Sequence, residues 1–386
     1  MVIQSKSRLV IGGNNCYADF NSPEFCFSQV DHGMVSTFTR SWSGPTVVLV
    51  LQASSGHARN QTLDAGTYVK SLASRPFSNG IARIIATPII IARMVSALRG
   101  SSVAYARLPS RMGALLLLVA MIMRRPTVCS GHGLPTWVRS SRKGLVGFVQ
   151  RRMSRILYGV LLRRCQIRFA TEPQLFDYYG ANIGPSEPLH TTLLKEVPPA
   201  APMPRTYGPK IRLGFIGRLE ADKNPLMLVE IANALVRRNI KPELIVIGDG
   251  ALRTALEKFS KEADHDIKFR GWVDDRDMLL QQVRALDFVI IPSFTEGNPK
   301  VLLEAMASGV PALIRPLNSR IETLAEKGGV ILVTSTDPEA WAQGIVDKWN
   351  PEIYTKLAAS GRASAKEFTL PKLVSHVSEK FKQTFN

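Results

Sequence analysis

Short continuous apolar runs alternate along the chain with longer stretches in which apolar residues recur at helical spacing. Residues 8–13 (RLVIGG) read as a strand entering a glycine turn, and 46–52 (TVVLVLQ) as a buried strand. The stretch between those two follows neither period. From residue 81 the alternation is regular. A strand at 102–107 (SVAYAR) is followed by a buried helix at 112–123, a strand at 126–130 (PTVCS), a basic helix from about 142, and a strand at 166–171 (QIRFAT). The second half repeats the scheme with strands at 211–217, 243–248, 267–273, 287–292 and 310–314. Helical stretches such as PLMLVEIANALVRR and LRTALEKFSKEA fall between them. Continuously apolar strands alternating with helices predict parallel sheets covered on both faces, hence a doubly wound α/β fold.

Seven prolines crowd residues 185–209, in runs such as VPPAAPMPR, and a proline-dense stretch without apolar periodicity reads as an extended linker. The expected organisation is a Rossmann-like domain over 1–190, a linker over 191–209 and a second Rossmann-like domain over 210–363. An amphipathic helical stretch over 364–386 closes the chain, and its docking domain is open at this level. Two such domains would face each other across a cleft. Open parallel sheets bind ligands at the carboxyl ends of their strands, so candidate chemistry is sought in the loops that follow strands.

Charge changes the picture more than composition does. Residues 65–171 hold eighteen Lys and Arg and no Asp or Glu, and that excess equals the +18 of the whole chain. So one-sided a distribution calls for an anionic partner: lipid headgroups, nucleic acid or a phosphorylated substrate. The cysteines, Cys16, Cys26, Cys129 and Cys165, are scattered without a C-x-x-C pair, which argues against a disulfide framework or zinc site and for a reducing compartment. The opening residues lack an apolar run of signal-peptide length. The longest apolar run, 112–123, is too short to span a bilayer as a helix.

The stretch TEGNPKVLLEAMASGVPAL (295–313) follows a strand. Asn298 is a suitable N-cap, Pro299 suits the first helical position, and Gly309 with Pro311 stops the helix. Its amino terminus would present free N–H groups to a phosphate. Glu304 is the odd polar residue in an apolar turn. Buried, it would need donors such as sugar hydroxyls; alternatively it is an exposed helix residue. Glu296, in the loop, can meet a second set of hydroxyls, or simply sit favourably near a helix start. Arg218 and Lys223, in the GRLEADK loop, offer fork geometry and a point charge to a diphosphate, or are two solvated cations.

The order GRLEADKNP, VIGDG, FRGWV and EGNPKVLLEAMASGVP resembles the nucleotide-sugar domain of the retaining family 4 glycosyltransferases of GT-B fold. The likeness is close over about 210–345 and looser in the first half, through YARLPSRMGALLLL, SGHG and ATEPQLFDYYG. The resemblance implies that Arg218 and Lys223, after Gly217, hold the diphosphate, Glu304 the ribose, and Glu296 the transferred sugar. It implies that Gly297, Asn298, Pro299, Lys300 and Val301 complete the donor site, and that backbone around Arg270 to Val273 meets the base. Gly12 and Gly13 stand where a donor-site glycine pair is expected. His132, between Gly131 and Gly133, stands at the position of a sugar-contacting catalytic residue. With His132, Arg218, Lys223 and Glu296 as catalytic residues, the reaction would need neither metal nor cofactor, only a nucleoside diphosphate sugar as co-substrate. Many members read E-G-F-G where this chain has Glu296-Gly297-Asn298-Pro299, which removes one backbone donor.

Other patterns carry less. Asp275-Arg276-Asp277 matches a metal-binding D-x-D but opens a helix, where acids favour the dipole. Gly248-Asp249-Gly250 begins a dinucleotide fingerprint, but Arg253 replaces its third glycine. Asn60-Gln61-Thr62 is a formal glycosylation sequon without consequence in a cytosolic protein. In the basic half, Leu145, Val149, Met153, Ile156 and Val160 recur at helical spacing, flanked by Arg151, Arg152 and Arg155. Such a helix lies on an anionic membrane surface, or else is a core helix with solvated arginines. Arg107 joins these arginines as a candidate for acceptor or membrane contact. No helix-turn-helix, RNP or zinc-finger pattern supports nucleic acid. The function expected is transfer of a hexose to a lipid-linked saccharide, by a cytoplasmic protein held peripherally on the inner face of the membrane. A nucleotide-sugar epimerase or hydrolase of the same fold, and a non-catalytic sugar-nucleotide or lipid-binding protein, are the alternatives.

Overall fold

The computed structural model describes residues 8–12, 17–18, 25–27, 37–42, 44–50, 59–60, 67–71, 80–100, 102–131, 145–171, 173–180, 183, 185–189, 192, 194–199, 207–263, 265, 267–297 and 299–385. They fall into two compact units, Met1–Leu193 with Leu370–Asn386, and Leu194–Thr369.

In the first unit the strands are β1 (Arg8–Gly12), β2 (Tyr17–Ala18), β3 (Phe25–Phe27), β4 (Thr46–Val50), β5 (Arg59–Asn60), β6 (Thr67–Ser71), β7 (Ser102–Leu108), β8 (Thr127–Gly131), β9 (Ile167–Ala170) and β10 (Glu187–Pro188). A parallel sheet runs in the order β10-β9-β8-β7-β1-β4-β6, while β2, β3 and β5 make a small antiparallel sheet that the sequence pattern did not announce. The central strands are buried on both faces: β7 (SVAYARL) leaves only Arg107 half-exposed. Helices Gly80–Ala97, Arg111–Ile122 and Leu145–Arg164 supply the crossovers.

The last of these turns part of its apolar stripe to solvent. Tyr158, Leu161 and Leu162 face the core, whereas Met153 (66% exposed) and Ile156 (59%), with Phe148 and Val160, face outward. Of the apolar stripe read from the sequence, Met153, Ile156 and Val160 therefore lie on the solvent side of this helix, beside exposed Arg152 and Arg155. Arg155 lies over the Tyr178 ring at 5.8 Å.

The second unit contains β11 (Lys210–Ile216), β12 (Lys241–Ile247), β13 (Ile267–Gly271), β14 (Phe288–Ile291), β15 (Ala312–Ile314) and β16 (Val330–Leu332), all parallel, in the order β13-β12-β11-β14-β15-β16. Strand β16, three residues long, was not read from the sequence. Buried Trp341, Tyr354 and Phe288 pack with the Met227–Val236 helix on one side of the sheet. Near the amino end of β11, buried Asp287 accepts from the Arg212 backbone at 2.8 Å and from its guanidinium, an ion pair far along the strand from the loops of interest.

Within the proline-rich stretch, Leu194 and Val197 pack into the second unit, and the Pro198 carbonyl accepts from Arg362 at 2.8 Å. The closing helix, Leu370–Phe385, belongs to the first unit. Its Leu373, Val377, Phe381 and Phe385 join Leu9, Ile11, Val103, Tyr105 and Phe169 in one core.

Candidate functional site

The loops at the carboxyl ends of β11, β12 and β13 are stitched together through backbone. Gly217 N–H donates to the Ile247 carbonyl (2.9 Å), Leu219 N–H to the Asp249 carbonyl (2.9 Å), and Gly248 N–H to the Gly271 carbonyl (2.7 Å). Close approach here needs a missing side chain. Gly248 has φ +138°, and a Cβ on it would lie 1.9 Å from the Gly217 carbonyl oxygen. The glycines that failed to make a dinucleotide fingerprint thus serve to draw two strand-end loops into contact.

That stitching fixes the GRLEADK loop. Arg218, 58% exposed at its side chain, gives one bond to Asp222 (Nη2 to Oδ2, 3.3 Å) and leaves the rest of its fork to solvent. The Asp222 carbonyl accepts from Phe294 N–H at 2.9 Å, tying this loop to the one after β14. Across that tie, Lys223 Nζ meets Glu296 Oε1 at 2.6 Å, with side-chain exposures of 22% and 12%. The buried Ser293 hydroxyl donates to the same oxygen at 2.7 Å. Asn318 Nδ2 donates to the Glu296 carbonyl at 2.7 Å while its Oδ1 caps the Ser319–Glu326 helix. Among the described residues both side-chain bonds to the Glu296 carboxylate go to Oε1.

A second cluster surrounds Glu304, which is 2% exposed. Of the two readings of Glu304, the buried one holds, but the donor is protein: Arg276 Nη2 reaches Glu304 Oε1 at 2.5 Å. The helices Arg276–Arg284 and Lys300–Ser308 bring the two together by packing Leu280 and Val283 with Leu302 and Leu303. Arg276 Nε is buried without a partner. Asp275 caps its helix by accepting from Met278 N–H at 2.8 Å, the dipole role read from the sequence.

One expectation is corrected. The helix after β14 begins at Lys300, and Pro299, with φ −70° and ψ 97°, is its N-cap rather than its first residue. An extended ψ places Pro299 outside the helical region. Gly309, at φ +69°, stops the helix as expected.

Of the other residues singled out, Gly297 and Val301 are half-buried and Lys300 opens the helix; Arg270 is exposed and Val273 half-buried after β13. Gly12 ends β1, where a Cβ would lie 2.7 Å from Leu116 Cδ2, so its smallness serves helix packing. Gly13, His132, Asn298 and the Arg151 side chain lie outside the described residues. Sequence reasoning missed Ser293, Arg276 and Asn318. It also passed over Trp272, 60% exposed at the end of β13, with its indole N–H donating to Asp274 at 2.5 Å. The polar break after a buried strand is a signal for Ser293; Arg276, between Asp275 and Asp277, carries no such local signal.

Two parallel α/β units, the second with charged loops at the carboxyl ends of its strands, have the GT-B architecture. A family model described as "Glycosyl transferases group 1" matches residues 210–350. Over that region the chain is similar to the group 1 glycosyltransferases. The UDP-Gal:α-D-GlcNAc-diphosphoundecaprenol α-1,3-galactosyltransferase of Escherichia coli is 29% identical over 138 residues, covering 34% of this chain and 35% of that protein. A Campylobacter jejuni α-1,4-N-acetyl-D-galactosaminyltransferase, named for a PP-undecaprenol-linked acceptor, is 29% identical over 171 residues, 43% of this chain and 45% of that one. The chain spans about a third of the length of the first curated relatives it matches. Among solved structures, sucrose-phosphate synthase from Thermosynechococcus elongatus superposes with a TM-score of 0.71 at 15% identity, over 98% of this chain and 99% of that one. Anabaena HepE in complex with UDP and glucose gives 0.67 at 15%, with coverage of 98% and 99%. At such identities the likeness is one of fold.

Proposed function

We propose that the protein is a retaining glycosyltransferase that moves a hexose from a nucleoside diphosphate sugar to a lipid-linked saccharide at an anionic membrane surface. The observation that carries this reading is the Lys223–Glu296 pair beside exposed Arg218 at the carboxyl edge of β11 and β14. An ammonium has three donors, so Lys223 can keep Glu296 in place and still reach a phosphate. Arg218 offers a planar fork to the same diphosphate. Negative charge grows on that group as the sugar departs, and cations held in advance stabilise it. Glu296 Oε2 takes a sugar hydroxyl, and Glu304, oriented by Arg276, takes the ribose. The backbone around Arg270–Val273 and the exposed Trp272 face suit the base. The acceptor proton passes to the leaving phosphate, with no metal and no covalent enzyme intermediate. Carrying over the acceptor chemistry in the names of the Escherichia coli and Campylobacter jejuni relatives makes a polyprenyl-diphosphate-linked saccharide the first acceptor to try.

The test is incubation of a panel of nucleotide sugars with such an acceptor, followed by assignment of the anomeric configuration. Transfer with the donor's own configuration, and a donor left largely intact without acceptor, is the expected result. Inverted product, or donor consumed equally without acceptor, overturns the reading.

On the membrane side, no helix among the described residues is long and apolar enough to cross a bilayer. Attachment would come from the outward stripe of Met153, Ile156 and Val160 with its arginines. Each basic side chain near an anionic surface contributes about 1 kcal/mol. Replacing both Arg152 and Arg155 by glutamate is therefore expected to weaken flotation with phosphatidylserine vesicles at least ten-fold. Equal recovery of the unaltered protein with neutral and anionic vesicles would refute membrane attachment by charge.

A further inference from the structure

We infer that the groove between the Arg111–Ile122 and Leu145–Arg164 helices binds the hydrocarbon chain of a phosphate-bearing lipid, with Arg111 holding the phosphate. The inference rests on the acceptor reading above for what the lipid carries, and on the groove for the lipid itself. Arg111, Leu115 and Leu118 line one wall, and Ser154, Leu157 and Tyr158 the other, around a cavity of about 320 Å³. That volume lies at the lower end of the roughly 300–1,000 Å³ typical of small-molecule sites. Residues four and three apart on a helix share a face, so each wall is one stripe and the groove runs between two helices.

Its floor is apolar and its mouth is basic. Tyr158 is buried and packs edge-on against Tyr179 at 5.7 Å. Leu118 and Leu157 are part-exposed rims, continued outward by Ile122 (73% exposed) and Met153. An apolar channel that opens onto an apolar outer surface suits a chain entering from a bilayer rather than a soluble metabolite. Arg111 is exposed and forms no ion pair among the described residues, and its charge acts on the Tyr158 hydroxyl. No Asp or Glu occurs within residues 65–171 to neutralise it, so the complementary occupant is an anion. Position adds the link to chemistry. The Arg111–Ile122 helix follows β7 directly, with Ser110 as its N-cap, so Arg111 stands at the carboxyl edge of its own sheet. A phosphate there would leave any attached saccharide at the edge where parallel sheets present ligands.

The probe is dodecyl phosphate below its micelle concentration, titrated into the full chain and followed by tryptophan fluorescence and calorimetry. Saturable binding is expected, with dodecanol and inorganic phosphate each at least ten-fold weaker. Ser154→Trp, which fills the groove, and Arg111→Glu, which reverses its charge, are each expected to weaken dodecyl phosphate ten-fold or more. Both should retain the thermal shift given by UDP, which reports that the second unit is intact, and both should keep the circular dichroism of the parent. Arg99→Glu, at an exposed position outside the groove, should leave dodecyl phosphate binding unchanged. Absence of saturable binding, equal binding by the parent and both groove variants, or inorganic phosphate binding as tightly as the lipid overturns the groove. If the groove fails in this way while sugar transfer persists, the reading of the activity stands apart from it. If dodecyl phosphate binds as expected but no donor turns over, the activity reading fails and the groove stands.

Discussion

Lys223→Ala is expected to lower turnover by about 10²–10³, or ~2.7–4 kcal/mol, the range found when one preorganised charge-stabilising donor is removed from an active site. The loss should appear mainly in kcat, because the charge that Lys223 meets is largest after the sugar has begun to leave. Removing the ammonium also leaves the Glu296 carboxylate, 12% exposed at its side chain, with Ser293 as its remaining side-chain donor. Glu296→Gln keeps the shape and removes the charge. If the pair acts as a unit, the double variant Lys223→Ala/Glu296→Gln will be far less impaired than the product of the two single effects. Lys223→Arg keeps the charge but not the compact geometry and should recover only part of the rate. Steady-state kinetics of all four variants with a turned-over donor give the answer. A Lys223→Ala enzyme within three-fold of the parent would remove Lys223 from the reaction and leave the pair a structural one.

Gly248→Ala should destabilise the second unit by about 3 kcal/mol. A positive φ costs a non-glycine residue on the order of 1–3 kcal/mol, and relieving an overlap by shifting packed backbone costs a similar amount. Here the added methyl would sit 1.9 Å from the Gly217 carbonyl oxygen, and the clash is with backbone, which has no rotamer to escape into. Relief must move the loop that carries Arg218, so nucleotide affinity should fall along with stability. Urea unfolding of the full chain and titration with UDP measure the two effects. Gly208→Ala is the control, since a Cβ there meets nothing within 4 Å and its effect should be small. Equal midpoints for the two variants would mean that the loop contact between β11 and β12 yields easily.

Both predictions concern one strand edge, and the sequence already pointed there. Runs such as IRLGFI and DFVIIP could only be buried strands, and a loop of charge after each could only lie at a sheet edge. Helix punctuation was equally local: Asp275 caps, Gly309 stops, and both do so through their own backbone and the next turn. Pro299 is where the local pattern is off by one residue, because its conformation depends on the loop it leaves.

Pairings between distant segments were not legible in this way. Glu304 announced burial by its apolar neighbours, but its partner, Arg276, comes from another helix and is selected by how Leu280 and Val283 pack with Leu302 and Leu303. The Lys223–Glu296 contact joins residues 73 apart, through a tie of Asp222 to Phe294 that is backbone to backbone and leaves no mark in residue type. Strands as short as Val330–Leu332 carry too few residues for a period, and are strands because a neighbour offers an open edge.

The closing helix and the basic helix make the division plain. Periodicity alone established that each has an apolar face, because a helix repeats its environment every three to four residues whatever surrounds it. Which face is covered, and by what, is a matter of where the rest of the chain lies. Leu373, Val377 and Phe381 found the first unit's sheet, whereas Met153 and Ile156, of the same chemical kind, were left facing water because Tyr158, Leu161 and Leu162 took the inward side. Residue order thus determined the longer elements and the charge each carries. Their packing chose which side chains meet, since contact free energy is shared among segments that no local pattern relates.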